Sequence, residues 1–285
     1  MKRILTALTL LLSTATAFGN PVPQRAISSS QFTTEILLSI GAEKQMIGTA
    51  FLDDQILPSL KKSYDSIPVL SKRAPSKEYF YSLNPDFLTG WKSIITPKYL
   101  GPLEELEENA VQVYIPKSQD SSDIEVIFQD ILAYGKIFNL EKNSENLVNK
   151  MKSDYENVKN DKISNPPKVF AYDSGTSAPM VVGGTSIGNT IIEMAGGNNI
   201  FKNLKGGFPT ANWETILAQD PKYIIVIDYG DETYDSKIKF LKENSPIKDI
   251  SAIKNNNFIK VGLSDLSPGV RVIETIKTLH EKFKQ

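Results

Sequence analysis

Residues 143–160 read NSENLVNKMKSDYENVKN. Leu147, Met151, Tyr155 and Val158 recur at spacings of four, four and three, which puts them on one helical face. Asn143 or Ser144 is expected to cap the start by accepting a bond from an orphan amide. Asn165-Pro166-Pro167 stops the helix, because proline has no amide hydrogen and clashes with the preceding turn. At ~1.5 Å per residue the rod is ~25 Å long. Strand and helix patterns lie on both sides of it, so the stretch reads as a rigid strut between two lobes. The expected division is a first α/β lobe at 20–142, a linking helix at 143–165 and a second α/β lobe at 166–285. A surface helix within one domain is the alternative, since 285 residues suit either arrangement.

Outward from the strut, the first half alternates strand and helix. Strands are expected at 25–28, 45–49, 87–89 and 111–115, and helices at 35–40, 78–83 and 100–108. Gly41 ends the first helix, since glycine tolerates the left-handed cap. An amphipathic helix at 123–138 buries Ile124, Ile127, Phe128, Ile131, Leu132 and Phe138 and leads into the strut. The second half gives strands at 169–172, 223–227 and 258–261, with helices at 187–195, 213–218 and 270–283. The continuous apolar run at 223–227 suits the centre of a parallel sheet. This alternation argues for α/β lobes with largely parallel sheets.

The halves echo one another. SKEYFYSLNPDFL at 76–88 matches ANWETILAQDPKYI at 211–224, pairing Glu78 with Glu214, Asn84 with Asp220 and Pro85 with Pro221 at one constant offset. TEILLSIGA at 34–42 echoes NTIIEMAGG at 189–197 in the same order. An ordered pair of echoes supports two similar lobes. Glu78 and Glu214 each open a helix. An acid in the first turn gains roughly 0.3–1 kcal/mol from the helix dipole, which alone would account for their placement.

The formal charge of -1 leaves no basic footprint for nucleic acid. Lys2 and Arg3, the apolar run 4–12 and the small residues through Ala17 to Gly19 read as an export signal at 1–19, too short to span a bilayer. Its removal would take the charge to about -3. The chain has no cysteine, so an exported form depends on its core rather than disulfides, and no lipid-anchor cysteine follows the signal. A free protein in a periplasm is expected. With one histidine and no cysteine, a structural zinc site is not expected.

The segments RAISSSQFTTEILLSIGAEKQMIGT, SKEYFYSLNPDFL, VVGGTSIGNTIIEMAGGNNIFKNLKGG, NWETILAQDPKYIIVID and SPGVR, in that order, resemble the substrate-binding proteins of ABC importers for ferric siderophores, haem and cobalamin. The likeness runs over nearly all the chain beyond the signal. It implies two Rossmann-like lobes bridged by one long helix, a ligand cleft between them and no catalytic role. It implies that the cargo is a bulky ferric chelate, haem or cobalamin. It also implies that an acid on each lobe, here Glu78 and Glu214, docks on arginines of an ABC transporter permease. A monomer without cofactor or bound metal is expected. The chain departs from the family pattern at Leu70-Ser71-Lys72-Arg73, where many members carry a valine-glycine turn.

Ligands of parallel α/β sheets gather at the carboxyl ends of the strands. Residues just beyond those ends are therefore the binding candidates. They are Ser30, Gln31, Phe32, Arg73, Trp91 and Lys92 in the first lobe. In the second they are Asp173, Ser174, Thr176, Ser177, Asp228, Tyr229, Asp265 and Arg271, with Phe208 in a glycine-rich stretch nearby. Aromatic side chains suit a flat or bulky solute, and Arg73, Lys92 and Arg271 suit its carboxylates.

One rival reading is an exported serine hydrolase. Gly184-Thr185-Ser186-Ile187-Gly188 fits the nucleophile pattern G-x-S-x-G, with Asp228 or Asp265 and then His280 following in chain order. It requires His280 within hydrogen-bond reach of Ser186. A histidine in the last helix is badly placed for that and is expected to be structural. A phosphate cradled by the same glycine-rich turn ranks lower, because the turn lacks the lysine of a nucleotide-binding loop.

Overall fold

A computed structural model describes residues 21–285. The export segment expected at 1–19 lies outside the described residues. The first lobe contains β1 (Ala26–Ser29), α1 (Gln31–Ser39), β2 (Met46–Ala50), α2 (Lys61–Tyr64), β3 (Val69–Ser71), α3 (Lys77–Ser82), β4 (Phe87–Gly90), α4 (Leu103–Glu108) and β5 (Gln112–Tyr114). Helices α5 (Ile124–Ile137) and α6 (Glu141–Asn160) follow. The second lobe contains β6 (Lys168–Ser174), β7 (Met180–Val181), α7 (Ile187–Met194), β8 (Asn198–Asn199), α8 (Trp213–Gln219), β9 (Tyr223–Asp228), α9 (Tyr234–Glu243), α10 (Ser251–Lys254), β10 (Phe258–Gly262) and α11 (Val272–Phe283).

The first sheet runs β3-β2-β1-β4-β5, with every neighbouring pair parallel. The second runs β10-β9-β6-β7, and only the short edge strand β7 is antiparallel. β8 pairs with the start of β6. The expected α/β class, two look-alike lobes on one long helix, is the observed architecture. Strands β3, β7 and β8 and helices α2, α9 and α10 were not anticipated, because most are too short to show a period.

The internal echoes are backbone facts. Asn84 and Asp220 both turn left-handed, at φ 47 and 40, directly before the paired prolines. Gly41 and Gly196 do the same at φ 86 and 87. Ala42 N–H reaches Leu37 O and Gly197 N–H reaches Ile192 O, so α1 and α7 close with the same doubled cap.

Helix α6 begins two residues before the expected start, so the expected cap is a correction. Leu140 occupies the cap position and no side chain bonds there. Asn143 instead donates to Ile40 O at 2.8 Å, and Ser144 Oγ donates to Glu141 O within the helix. Val148, Met151 and Val158 are buried, with Leu147 and Tyr155 packed partly against the same core. The twenty residues span ~30 Å. α5 packs along α6 at Gly135, where an added Cβ would lie 1.9 Å from Ser144 Oγ. That approach admits no larger residue without a shift. One core cluster joins α5, α6, α7, α11 and both sheets, and two others fill the far faces of the sheets.

Candidate functional site

The loops leaving the carboxyl ends of the two sheets meet, and two cavities lie between them. One, of about 540 Å³, is lined by Trp91, Lys92 and Ser118 to Ser121 of the first lobe and by Thr185, Ser186, Ile187, Phe208, Leu263, Leu266 and Pro268 of the second, among others. Trp91 is held against Phe32, ring centroids 4.8 Å apart. Lys92 is paired with Asp120 at 2.5 Å. This chamber is aromatic and hydroxyl-rich, with its one cation already neutralised.

The other cavity, of about 510 Å³, is charged. Phe51, Leu52, Asp53, Lys72 and Arg73 of the first lobe face Tyr229, Gly230, Asp231 and Glu232 of the second. Burial first, then the neighbouring Asp54, pushes the Asp53 carboxyl up to about 6, with Arg73 opposing. Burial and then the Asp173 carboxylate push the Tyr229 phenol well above its usual range.

A polar bridge crosses the cleft. Arg271 donates through Nε and Nη2 to both oxygens of Glu35, at 2.7 and 2.6 Å. It also reaches Asp265 Oδ1 at 3.0 Å. The Ser264 amide donates to Asp54 Oδ2 at 3.0 Å. Gln31 Nε2 holds the other Asp54 oxygen at 2.7 Å, while Gln31 Oε1 accepts from the Asp53 and Asp54 amides.

The structure thus sorts the candidates. Trp91, Lys92 and Phe208 line the aromatic cavity, and Arg73 and Tyr229 the charged one. Gln31 and Arg271 line neither: Gln31 spends its amide on Asp53, Asp54 and Gln55 of its own lobe, and Arg271 spends its guanidinium on Glu35 and Gln55 across the cleft. Phe32 is buried behind Trp91. Asp173 is buried, accepting from Ser174 Oγ at 2.9 Å. Lys237 beside this cluster donates to Ile227 O and sits 4.4 Å over the Tyr229 ring. Ser174 and Ser177 line neither cavity, and Ser177 is exposed at the β6–β7 turn. Asp228 is tied to Lys260 at 2.6 Å. Sequence reasoning missed Glu35 and Asp54. The available signal was an acid inside the apolar run EILLSI, a charge on a helix whose every neighbour is buried.

The hydrolase arrangement is absent. Ser186 caps α7, its Oγ accepting from Gly188 N at 2.9 Å. His280 Nδ1 contacts Ala195 O at 3.1 Å, at the opposite end of the same helix. Eight residues separate the two by ~12 Å, so no proton passes between them directly. His280 Nε2 lies 3.4 Å from Asp161 Oδ2, so both ring nitrogens face oxygens other than that of Ser186. The ring is 3% exposed and serves packing.

Glu78 and Glu214 stand exposed in the first turns of α3 and α8, behind the capping side chains of Ser76 and Asn212. Each helix precedes a parallel strand, so both acids lie at the sheet edge that carries the cleft. Bonds from its own amide and from Ser76 hold the Glu78 carboxyl below its ordinary range. No helix among the described residues is long and apolar enough to cross a membrane.

The family profile described as periplasmic binding protein matches residues 27–262. A periplasmic binding protein from Veillonella parvula DSM 2008 superposes with a TM-score of 0.87 at 34% identity, over 93% of each chain. A periplasmic heme-binding protein from Roseiflexus sp. RS-1 in apo form gives 0.77 at 21% identity, over 92% of this chain and 98% of that one, a likeness of fold alone. The vitamin B12-binding protein of Photorhabdus laumondii is 23% identical over 226 residues, 79% of this chain and 78% of that protein.

Proposed function

This chain belongs to the periplasmic binding protein family, and from that premise we propose that it captures a bulky metal chelate and hands it to the permease of an ABC importer. The family is one of solute-binding proteins, not enzymes. The observation that carries the reading is the cavity of about 540 Å³, with Trp91 presented by one lobe and Phe208 by the other. Flat aromatic faces with a few placed polar groups suit a bulky organic ligand. The lobes are taken as residues 20–142 and 166–285, carried by the helix between them, and the protein acts as a monomer in the periplasm.

The donor set bears on the cargo. Haem iron is held in proteins by His, Cys, Met or Tyr. None of these lines the aromatic cavity. Tyr229 lines the other cavity, and its raised phenol makes a poor phenolate ligand. The pocket therefore suits a chelate whose metal is already fully coordinated, a ferric siderophore complex or cobalamin, better than haem. The vitamin B12-binding relatives agree with that class. Glu78 and Glu214 are the docking acids for the permease.

Tryptophan fluorescence tests this. Trp91 lies in the cleft and Trp213 is buried in the second lobe's core. Titration with cyanocobalamin, a ferric trihydroxamate and hemin is expected to quench for one of the first two and not for hemin. Trp91→Ala should weaken that solute by ~10–100-fold, the size of an aromatic anchor's contribution. No response to any of the three, or equal binding by Trp91→Ala, rejects the cleft as the site. Tight hemin binding alone rejects the cargo class.

A further inference from the structure

The two cavities share no lining residue. On the first lobe, the charged cavity lies beyond β2 and β3, and the aromatic one beyond β4 and the segment after β5. Gln31 and Glu35, which follow the central strand β1, and Asp54, which follows β2, stand between them. The bridge is therefore a partition as well as a contact.

It is also held by a single cation. Glu35, Asp54 and Asp265 converge on Arg271, with Nη1 3.5 Å from Asp54 Oδ1 in addition to the two closer carboxylates. The Glu35 side chain is 1% exposed and that of Arg271 10%. Arg271 further donates to Gln55 O at 2.5 Å, and the Leu57 amide donates to Glu35 Oε1 at 3.1 Å. Opposite charges at this separation, shielded from water, attract strongly, and a guanidinium matches a carboxylate through two parallel bonds. Without the arginine, three acids from two lobes would face one another. Backbone approach adds a close fit, since a Cβ on Gly262 would lie 2.5 Å from Asp54 Oδ2.

We propose that this bridge is a latch that sets the size of solute the cleft accepts. With Arg271 seated on Glu35, the two chambers stay apart and a solute is confined to one of them. A larger chelate enters when Arg271 leaves Glu35 and the two chambers merge. The proposal rests on the cleft being the solute site, and it makes Arg271 and Glu35 gatekeepers rather than contact residues.

The Ser264 amide reports on the latch directly, because its acceptor, Asp54, belongs to the other lobe. Hydrogen exchange at Ser264 is to be followed in the full chain and in Arg271→Ala, with Val226 of the central strand β9 as the control for an intact fold. Exchange at Ser264 is expected to quicken at least tenfold while Val226 stays unchanged. Arg271→Lys, which keeps the charge and loses the fork, should fall between. If Arg271→Ala does not fold, the isosteric Glu35→Gln carries the same measurement. Equilibrium dialysis then compares cyanocobalamin, as the large probe, with ferric tris-acetohydroxamate, as the small one. The latch variant should gain at least tenfold for the large probe relative to the small. Unchanged Ser264 exchange overturns the latch. Faster exchange with unchanged relative retention overturns its control of solute size. If Trp91→Ala is equally without effect on both probes, the cleft reading has failed as well, which separates the two failures.

Discussion

The first lobe floors its side of the cleft with hydroxyls bonded to one another. Ser28, Ser30, Thr33, Thr34 and Thr49 are all fully buried, and Thr34 Oγ1 lies 2.8 Å from both Ser28 Oγ and Thr49 Oγ1. The second lobe, built on the same strand and helix plan, puts charges there: Asp173, Asp228 and the buried Lys237 beneath Tyr229. Matching caps and prolines specify the backbone twice, whereas the side chains at the facing rims follow no internal repeat. Fold and cleft side chains are thus written separately: the repeat supplies two equivalent scaffolds, and the side chains set on them differ.

The largest expected effect probes where the lobes should be equivalent. Reversing charge in Glu78→Lys together with Glu214→Lys is expected to bring import to background while solute affinity measured by fluorescence stays within about twofold, since both acids are exposed and line neither cavity. Each single reversal should give a similar partial loss. A fall in affinity, or dependence on one acid alone, breaks the symmetry.

A smaller effect sharpens the comparison. Alanine at either left-handed cap, Gly41 or Gly196, is strained by roughly 1–2 kcal/mol. At Gly196 the new Cβ would also meet Ile163 Cδ1 at 2.9 Å, whereas at Gly41 the nearest atom is Asn143 Nδ2 at 3.4 Å. Urea denaturation is expected to show Gly196→Ala about 1 kcal/mol less stable than Gly41→Ala. Equal losses would mean that Ile163 yields freely.

The smallest effect is one of pH. At Asp53 burial and the Asp54 charge outweigh the opposing Arg73, and the folded carboxyl holds its proton up to about 6 against an ordinary value of 3.8. Between those values the native state carries the extra proton, so this group's contribution to stability falls as pH rises from about 4 to about 6. Asp228 runs the other way. Burial pushes it up, but the Lys260 ammonium and the Tyr234 amide outweigh that and leave it below its ordinary value. Its contribution is present above 3.8 and is lost as pH falls through the folded value. Asp53→Asn should therefore raise the melting temperature by roughly 2–4 °C at pH 8 and by little at pH 4, while Asp228→Asn should lower it at pH 8. The same sign for both at pH 8 would contradict this assignment.

Much of this architecture was legible in the chain because its signals are local. The spacing of Leu147, Met151 and Val158, the glycines after α1 and α7, and the prolines before β4 and β9 act on neighbours a few residues away. The candidates at the strand ends were half legible for the same reason: topology carries Trp91, Phe208, Arg73 and Tyr229 to the cleft wherever their side chains then turn. The start of α6 was misread because Asn143 spends its amide on Ile40, a partner 103 positions away that no cap pattern reveals.

Sequence by itself determined the two lobes, the strut between them and the sheet edge at which the two cavities lie, since periodicity, caps and chain breaks set these within a turn or two. Tertiary structure alone decided that Arg271 closes on Glu35, 236 positions distant, that the cleft is two chambers, and that Ser186 and His280 lie at opposite ends of one helix. Buried charges take whichever partner the assembled lobes bring within reach, and desolvation makes that choice binding only once the chain has folded.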